Sequence, residues 1–113
     1  NVTSGLSFNP LIKVPVYSAT KAFMHSYTLS LRALWEAQGK EVIEVIPPAL
    51  NTDLGAPGLH DFAPPVSDFI AAVFEQLKEG KTELTFGMSA AMAEKSNAAF
   101  QEAFERMNGL SKT

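Results

Sequence analysis

Cysteine is absent from the 113 residues. That excludes a disulfide framework, a thiolate nucleophile and thiolate metal ligands, and a reducing, cytoplasmic location is expected. An excess of one charge is also missing: nine Lys and Arg stand against twelve Asp and Glu, a formal net charge of −3. No basic cluster favours nucleic acid or an anionic membrane surface as a partner. Apolar runs are only a few residues long, far short of a membrane span. The opening Asn1-Val2-Thr3-Ser4 lacks the positive and apolar regions of a secretory signal. There is no initiator Met and the chain starts on strand-like residues, so a piece of something longer is expected. A Gly-rich phosphate turn is missing as well, because the glycines at 5, 39, 55, 58, 80, 87 and 109 do not form G-x-G-x-x-G. His25 and His60 are far apart and no Asp or Glu cluster gives metal-ligand spacing around them. Both are read as surface or interface residues, with no metal site.

What is present is an ordinary globular composition, 46% hydrophobic and 19% charged, long enough for one small domain. Residues 1–4 read as a strand end, and 5–15 as a loop punctuated by Gly5, Pro10 and Pro15. Residues 16–38 read as a helix stopped by Gly39. Its apolar residues run along two lines, Ala19-Phe23-Tyr27-Leu34 and Met24-Leu31-Trp35, so it is expected to be covered on two sides. Residues 41–46 form a β-branched strand ended by Pro47-Pro48. A Gly- and Pro-rich loop leads to a helix over 66–79, with Phe69, Ile70, Val73, Phe74 and Leu77 on one face. A strand over 82–86 and an Ala-rich helix over 88–107 follow, the latter with Met92, Ala99, Phe100, Ala103, Phe104 and Met107 as its apolar side.

The order strand, helix, strand, helix, strand, helix predicts an α/β fold with a parallel sheet and crossover helices. Three strands leave both edges open and both faces needing cover. An isolated monomer is therefore expected to be poorly stable, and association with copies or with a complementing fragment is expected.

Chemistry concentrates in Tyr17-Ser18-Ala19-Thr20-Lys21. Tyr17 and Lys21 are four apart, so on a helix they share a face. Both fall in its first turns, where the dipole favours negative charge. A neighbouring ammonium favours the phenolate form of a phenol, and a phenol so placed is a usable general acid or base. Upstream, Ser4 closes the first strand. Downstream, the second strand runs out into Pro47-Pro48-Ala49-Leu50-Asn51-Thr52. Each residue also has a plain structural role open to it: Ser4 as a turn residue, Thr52 as a helix cap, Tyr17 as cover for apolar surface.

In their order and spacing these pieces resemble the short-chain dehydrogenase/reductase family, which carries a strand ending in Ser, a Tyr-x-x-x-Lys helix, and a strand ending in Pro-Gly-x-Val-x-Thr. This chain reads NVTS, YSATK and PPALNT, and the resemblance covers essentially all of it. Phe86-Gly87 and the last helix ending at Met107-Asn108 are similar to a bacterial subgroup of oxidoreductases named after a D-alanine transfer operon, the DltE-like group. The resemblance implies a Rossmann-like, doubly wound parallel sheet of which residues 1–113 are the C-terminal half. It implies NAD or NADP as cofactor and a small carbonyl or alcohol as substrate. It assigns proton transfer to Tyr17, the nicotinamide ribose to Lys21 and the substrate oxygen to Ser4. Pro47, Pro48, Leu50 and Thr52 would line the carboxamide and phosphate side of the cofactor. Pro48 departs from the family's Gly, which restricts backbone approach there.

The dinucleotide turn, the ribose selector and a fourth catalytic residue, an Asn, belong to the family's N-terminal half. The chain alone is therefore expected to be inactive. The alternative is a scaffold subunit that kept the fold without the chemistry. A hydrolase with Ser4 as nucleophile is excluded by the lack of G-x-S-x-G and of a suitably placed His. Leu54, Leu59, Phe62 and Ala63 suggest an apolar lid over the substrate.

Overall fold

The structure, a computed structural model, describes residues 1–110. A short 3-10 turn over Gly5–Ser7 leads into α1 (Pro15–Glu36), β1 (Glu44–Ile46), α2 (Val66–Lys78), β2 (Glu83–Thr85) and α3 (Met88–Met107). The strands β1 and β2 pair in parallel, Val45 opposite Leu84. A third rung is added by Val2, which bridges to Val45 in the same sense. Its flanks are tied by Val45 N–H to the Asn1 carbonyl at 2.8 Å and Thr3 N–H to the Val45 carbonyl at 2.9 Å. The order is therefore N-terminal segment, β1, β2, a Rossmann-like arrangement in which the first strand is reduced to a bridge. The expected strand over 41–46 is shorter too, since only 44–46 join the ladder.

Helix boundaries follow local chemistry. Pro15 occupies the first turn of α1, where its missing N–H costs no bond. Beyond Glu36 the chain turns at Gly39, whose φ of 73° lies in the left-handed region that glycine reaches without strain. Ile46 at the end of β1 and Leu84 at the centre of β2 are fully buried and form the middle of the core with Val42, Ala63 and Ala93. The edge of β2 is not left bare: Gln76 of α2 accepts from Thr85 N–H at 3.0 Å and donates to the Thr85 carbonyl at 2.7 Å. One side-chain amide thus imitates a neighbouring strand.

The inner face of α1 departs from the apolar one expected. Its buried residues are Ser18, His25 and Thr28, and Arg32 continues the row. Ser18 Oγ donates to the Val14 carbonyl and accepts from Leu11 N–H. Thr28 Oγ1 donates to the Met24 carbonyl and accepts from Asn1 Nδ2. Arg32 donates to the Val42 and Thr82 carbonyls at 3.1 and 3.2 Å. The apolar line Phe23, Tyr27 and Leu34 faces outward and is exposed. A similar correction holds for α3. Its buried residues are Ser89 and Ala93, with Met92, Phe100 and Phe104 half-buried, whereas Ala99, Ala103 and Met107 are exposed. No helix among the described residues is long and apolar enough to cross a membrane.

Candidate active site

The helical spacing of Tyr17 and Lys21 delivers what it predicts. Lys21 Nζ lies 5.6 Å from the centroid of the Tyr17 ring, within cation–π range. Tyr17 is 44% exposed, so the phenol is open to a ligand. Lys21 Nζ also donates to the Val2 carbonyl at 3.3 Å, which fixes the ammonium to the segment that carries Ser4. One contact uses one of three ammonium donors.

Ser4 sits where β-like backbone gives way to the 3-10 turn. Its Oγ accepts from Leu6 N–H at 3.1 Å and caps that turn. The plain turn role is the one observed; the capping uses the oxygen as acceptor and leaves the O–H as donor. Gly5, which follows, is buried. A Cβ there would come within 3.1 Å of Met92 Sδ and 3.5 Å of Ser89 Cβ, so glycine is what lets the turn approach α3. Ser4 and Pro48 line the same small cleft, about 90 Å³, together with Ala49, Met88 and Met92. Ser4 is thus brought against the run-out of β1.

The segment after β1 is tied back at its start and again at Asn51. Pro47 accepts from Gly5 N–H at 3.1 Å. The amides of Ala49 and Leu50 have no hydrogen-bond partner among the described residues. Thr52 Oγ1 accepts from Leu54 N–H at 3.3 Å and serves as a local turn cap. Asn51 N–H donates to the Pro64 carbonyl at 2.9 Å, pinching the ends of the 52–64 loop together. Within the loop Leu54, Leu59 and Phe62 are exposed, whereas Ala63 is buried at its base. His60 closes onto the Leu54 carbonyl at 3.0 Å.

One polar cluster was not foreseen. His25, expected on the surface, is buried on α1 one turn beyond Lys21, with Nδ1 2.7 Å from Oε2 of a fully buried Glu44. Thr3 Oγ1 donates to that same oxygen at 2.7 Å. A carboxylate in mid-strand is normally read as solvent-facing. The available signal was the spacing of Ser18, His25 and Arg32, seven apart each, which puts three polar side chains on one stripe. Among the described residues no group of three or more His, Cys, Asp or Glu could hold a metal ion.

A parallel α/β unit with a Tyr-x-x-x-Lys helix whose lysine is tied to the segment before Ser4, and with Ser4 set against the run-out of the next strand, has a Rossmann-like arrangement. The chain belongs to the short-chain dehydrogenase family, whose model, described as short chain dehydrogenase, matches residues 1–61. It is also 38% identical over 112 residues to a Bacillus subtilis (strain 168) protein called uncharacterized oxidoreductase DltE. That alignment takes in 95% of this chain and 44% of the relative, so the chain spans less than half the relative's length. No solved structure matches it.

Proposed function

We propose that this chain is the proton-transfer half of an NAD(P)-dependent oxidoreductase that interconverts a carbonyl and an alcohol. The observation that carries the reading is the Lys21 ammonium lying over the ring of an open Tyr17 while tied to the Ser4 segment. The residues present suit the nicotinamide end of a dinucleotide. The Ala49 and Leu50 amides are unpaired donors for a carboxamide oxygen, and Lys21 keeps spare donors for a ribose. They lie beyond the carboxyl end of a parallel strand, where α/β sheets take their ligands. Pro48 adds no donor, so the burden falls on the two amides that follow it.

The cofactor, when bound, supplies or accepts the hydride. In reduction, Ser4 O–H donates to the carbonyl oxygen and orients it, and Tyr17 O–H transfers its proton to that oxygen as charge develops there. Lys21 stays beside the ring, its ammonium 5.6 Å from the ring centroid. In oxidation the same phenolate removes the alcohol proton. Leu54, Leu59 and Phe62 are the apolar surface of the loop that closes over the substrate.

The test is steady-state reduction of a carbonyl panel by the full-length protein with NADH and NADPH. Tyr17→Phe is expected to lower kcat/KM by a factor on the order of 10²–10⁴, the usual worth of a general acid. Undiminished turnover in that variant would overturn the reading, and a wild type without turnover would favour the scaffold alternative. The 113-residue chain by itself is expected to show no turnover, since it lacks a Gly-rich phosphate turn. We further propose that the exposed apolar residues of α1 (Val16, Phe23, Leu34) and α2 (Ile70, Phe74) are covered by the remainder of a longer protein or by a second subunit. A stable, well-folded monomer of the chain at micromolar concentration in light scattering would count against that.

A further inference from the structure

Three segments that carry the proposed chemistry meet on one atom, Glu44 Oε2. Thr3, the residue before Ser4, donates its hydroxyl to that oxygen at 2.7 Å. His25, one helical turn beyond Lys21, places Nδ1 at 2.7 Å from it. Glu44 itself opens the strand that runs out into Pro47–Thr52. The oxygen belongs to an ionisable side chain with no solvent exposure. With a carboxylate as acceptor, the imidazole proton belongs on Nδ1. The edge of the Phe8 ring covers the imidazole at 4.5 Å between centroids.

Stability alone does not account for this cluster. Glu44 Oε1 and His25 Nε2 are buried without partners among the described residues, a costly arrangement. Apolar residues of similar volume in place of a buried polar pair are commonly neutral or stabilising. What an apolar filling cannot supply is direction. A methyl group would let the Thr3 segment, α1 and β1 shift against each other by a fraction of an ångström. Proton transfer from Tyr17 to an oxygen held by Ser4 does not tolerate such a shift.

We propose that Glu44 is a positioning residue that, through Thr3 and His25, sets Ser4 relative to Tyr17 and Lys21. The proposal rests on the oxidoreductase reading for its consequence in catalysis, and on geometry alone for its consequence in local order.

The experiment uses the full-length protein and two variants. Glu44→Leu combined with His25→Leu removes the pair together, leaving neither partner alone in the core. Thr3→Val is isosteric and removes only the hydroxyl, so it keeps the test alive if the double variant does not fold. Amide exchange is followed at Thr3, Gly5 and Leu6, with Leu84 and Thr85 as reference positions. Exchange is expected to speed up about tenfold or more at the first group and to stay unchanged at the second. In steady-state kinetics, kcat is expected to fall on the order of a hundredfold, with KM for the cofactor within about twofold of wild type. A purely structural role would lower the melting temperature and speed exchange everywhere, with kcat per folded molecule preserved. That outcome, or unchanged local exchange in folded Thr3→Val, overturns the proposal. Faster local exchange in a protein that shows no Tyr17-dependent turnover upholds the positioning of Ser4 and overturns the oxidoreductase reading instead.

Discussion

Helices α1 and α2 are fixed to the same small sheet by different means. α1 is held by directional bonds: the residues it buries are polar, His25 and Thr28 find partners in β1 and the N-terminal segment, and Arg32 reaches the carbonyls before β1 and β2. α2 buries no residue fully. It rests on Phe69 against Phe86 at 6.1 Å and on the two bonds from Gln76 to Thr85. The difference teaches where register matters. A helix seated on apolar contacts can slide with modest loss, whereas one seated on hydrogen bonds loses every bond at once. The helix with Tyr17 and Lys21 is the one that cannot slide.

The comparison breaks most completely where the two helices share a support. Ile46 is fully buried between them in sequence and central in the sheet. Ile46→Ala is expected to cost about 2–5 kcal/mol, read from the urea midpoint of the full-length protein. The α1 side is probed next by Arg32→Met, which keeps the aliphatic stem and removes the bonds to the Val42 and Thr82 carbonyls. A loss of about 1.5–3 kcal/mol is expected. On the α2 side, Gln76→Leu keeps the volume and uncaps Thr85. About 1 kcal/mol is expected, and a loss matching that of Arg32→Met would erase the distinction between the helices. The smallest effect is expected at Phe74, exposed on α2. Phe74→Ser should change the stability of the isolated chain by no more than about 0.5 kcal/mol. A larger loss in the full-length protein would reveal that the face is covered there.

Much of the architecture was legible because it is punctuated. Pro15, Gly39, Gly80 and Asn108-Gly109 mark helix limits within a residue or two of those observed. The neighbourhood of Tyr17 and Lys21 was legible because four residues on a helix fix adjacency whatever surrounds it. The inner face of α1 was not. His25 finds Glu44 across 19 residues of sequence, and no local pattern announces a pairing of that kind. An average over hydrophobicity assigns the buried side to Phe23 and Leu34, when hydrogen bonding has assigned it to Ser18, His25 and Thr28. The short first strand escaped for a similar reason. Residues 1–4 are extended, but only Val2 has a strand neighbour.

The tie between Asn51 and Pro64–Pro65 bears on how such a protein tolerates change over evolutionary time. Because both ends of the intervening stretch are stitched at its neck, the stretch can lengthen, shorten or trade residues while the strand before it and the helix after it stay put. Sequence drift in that interchangeable cassette is therefore expected to leave the framework on either side of it undisturbed.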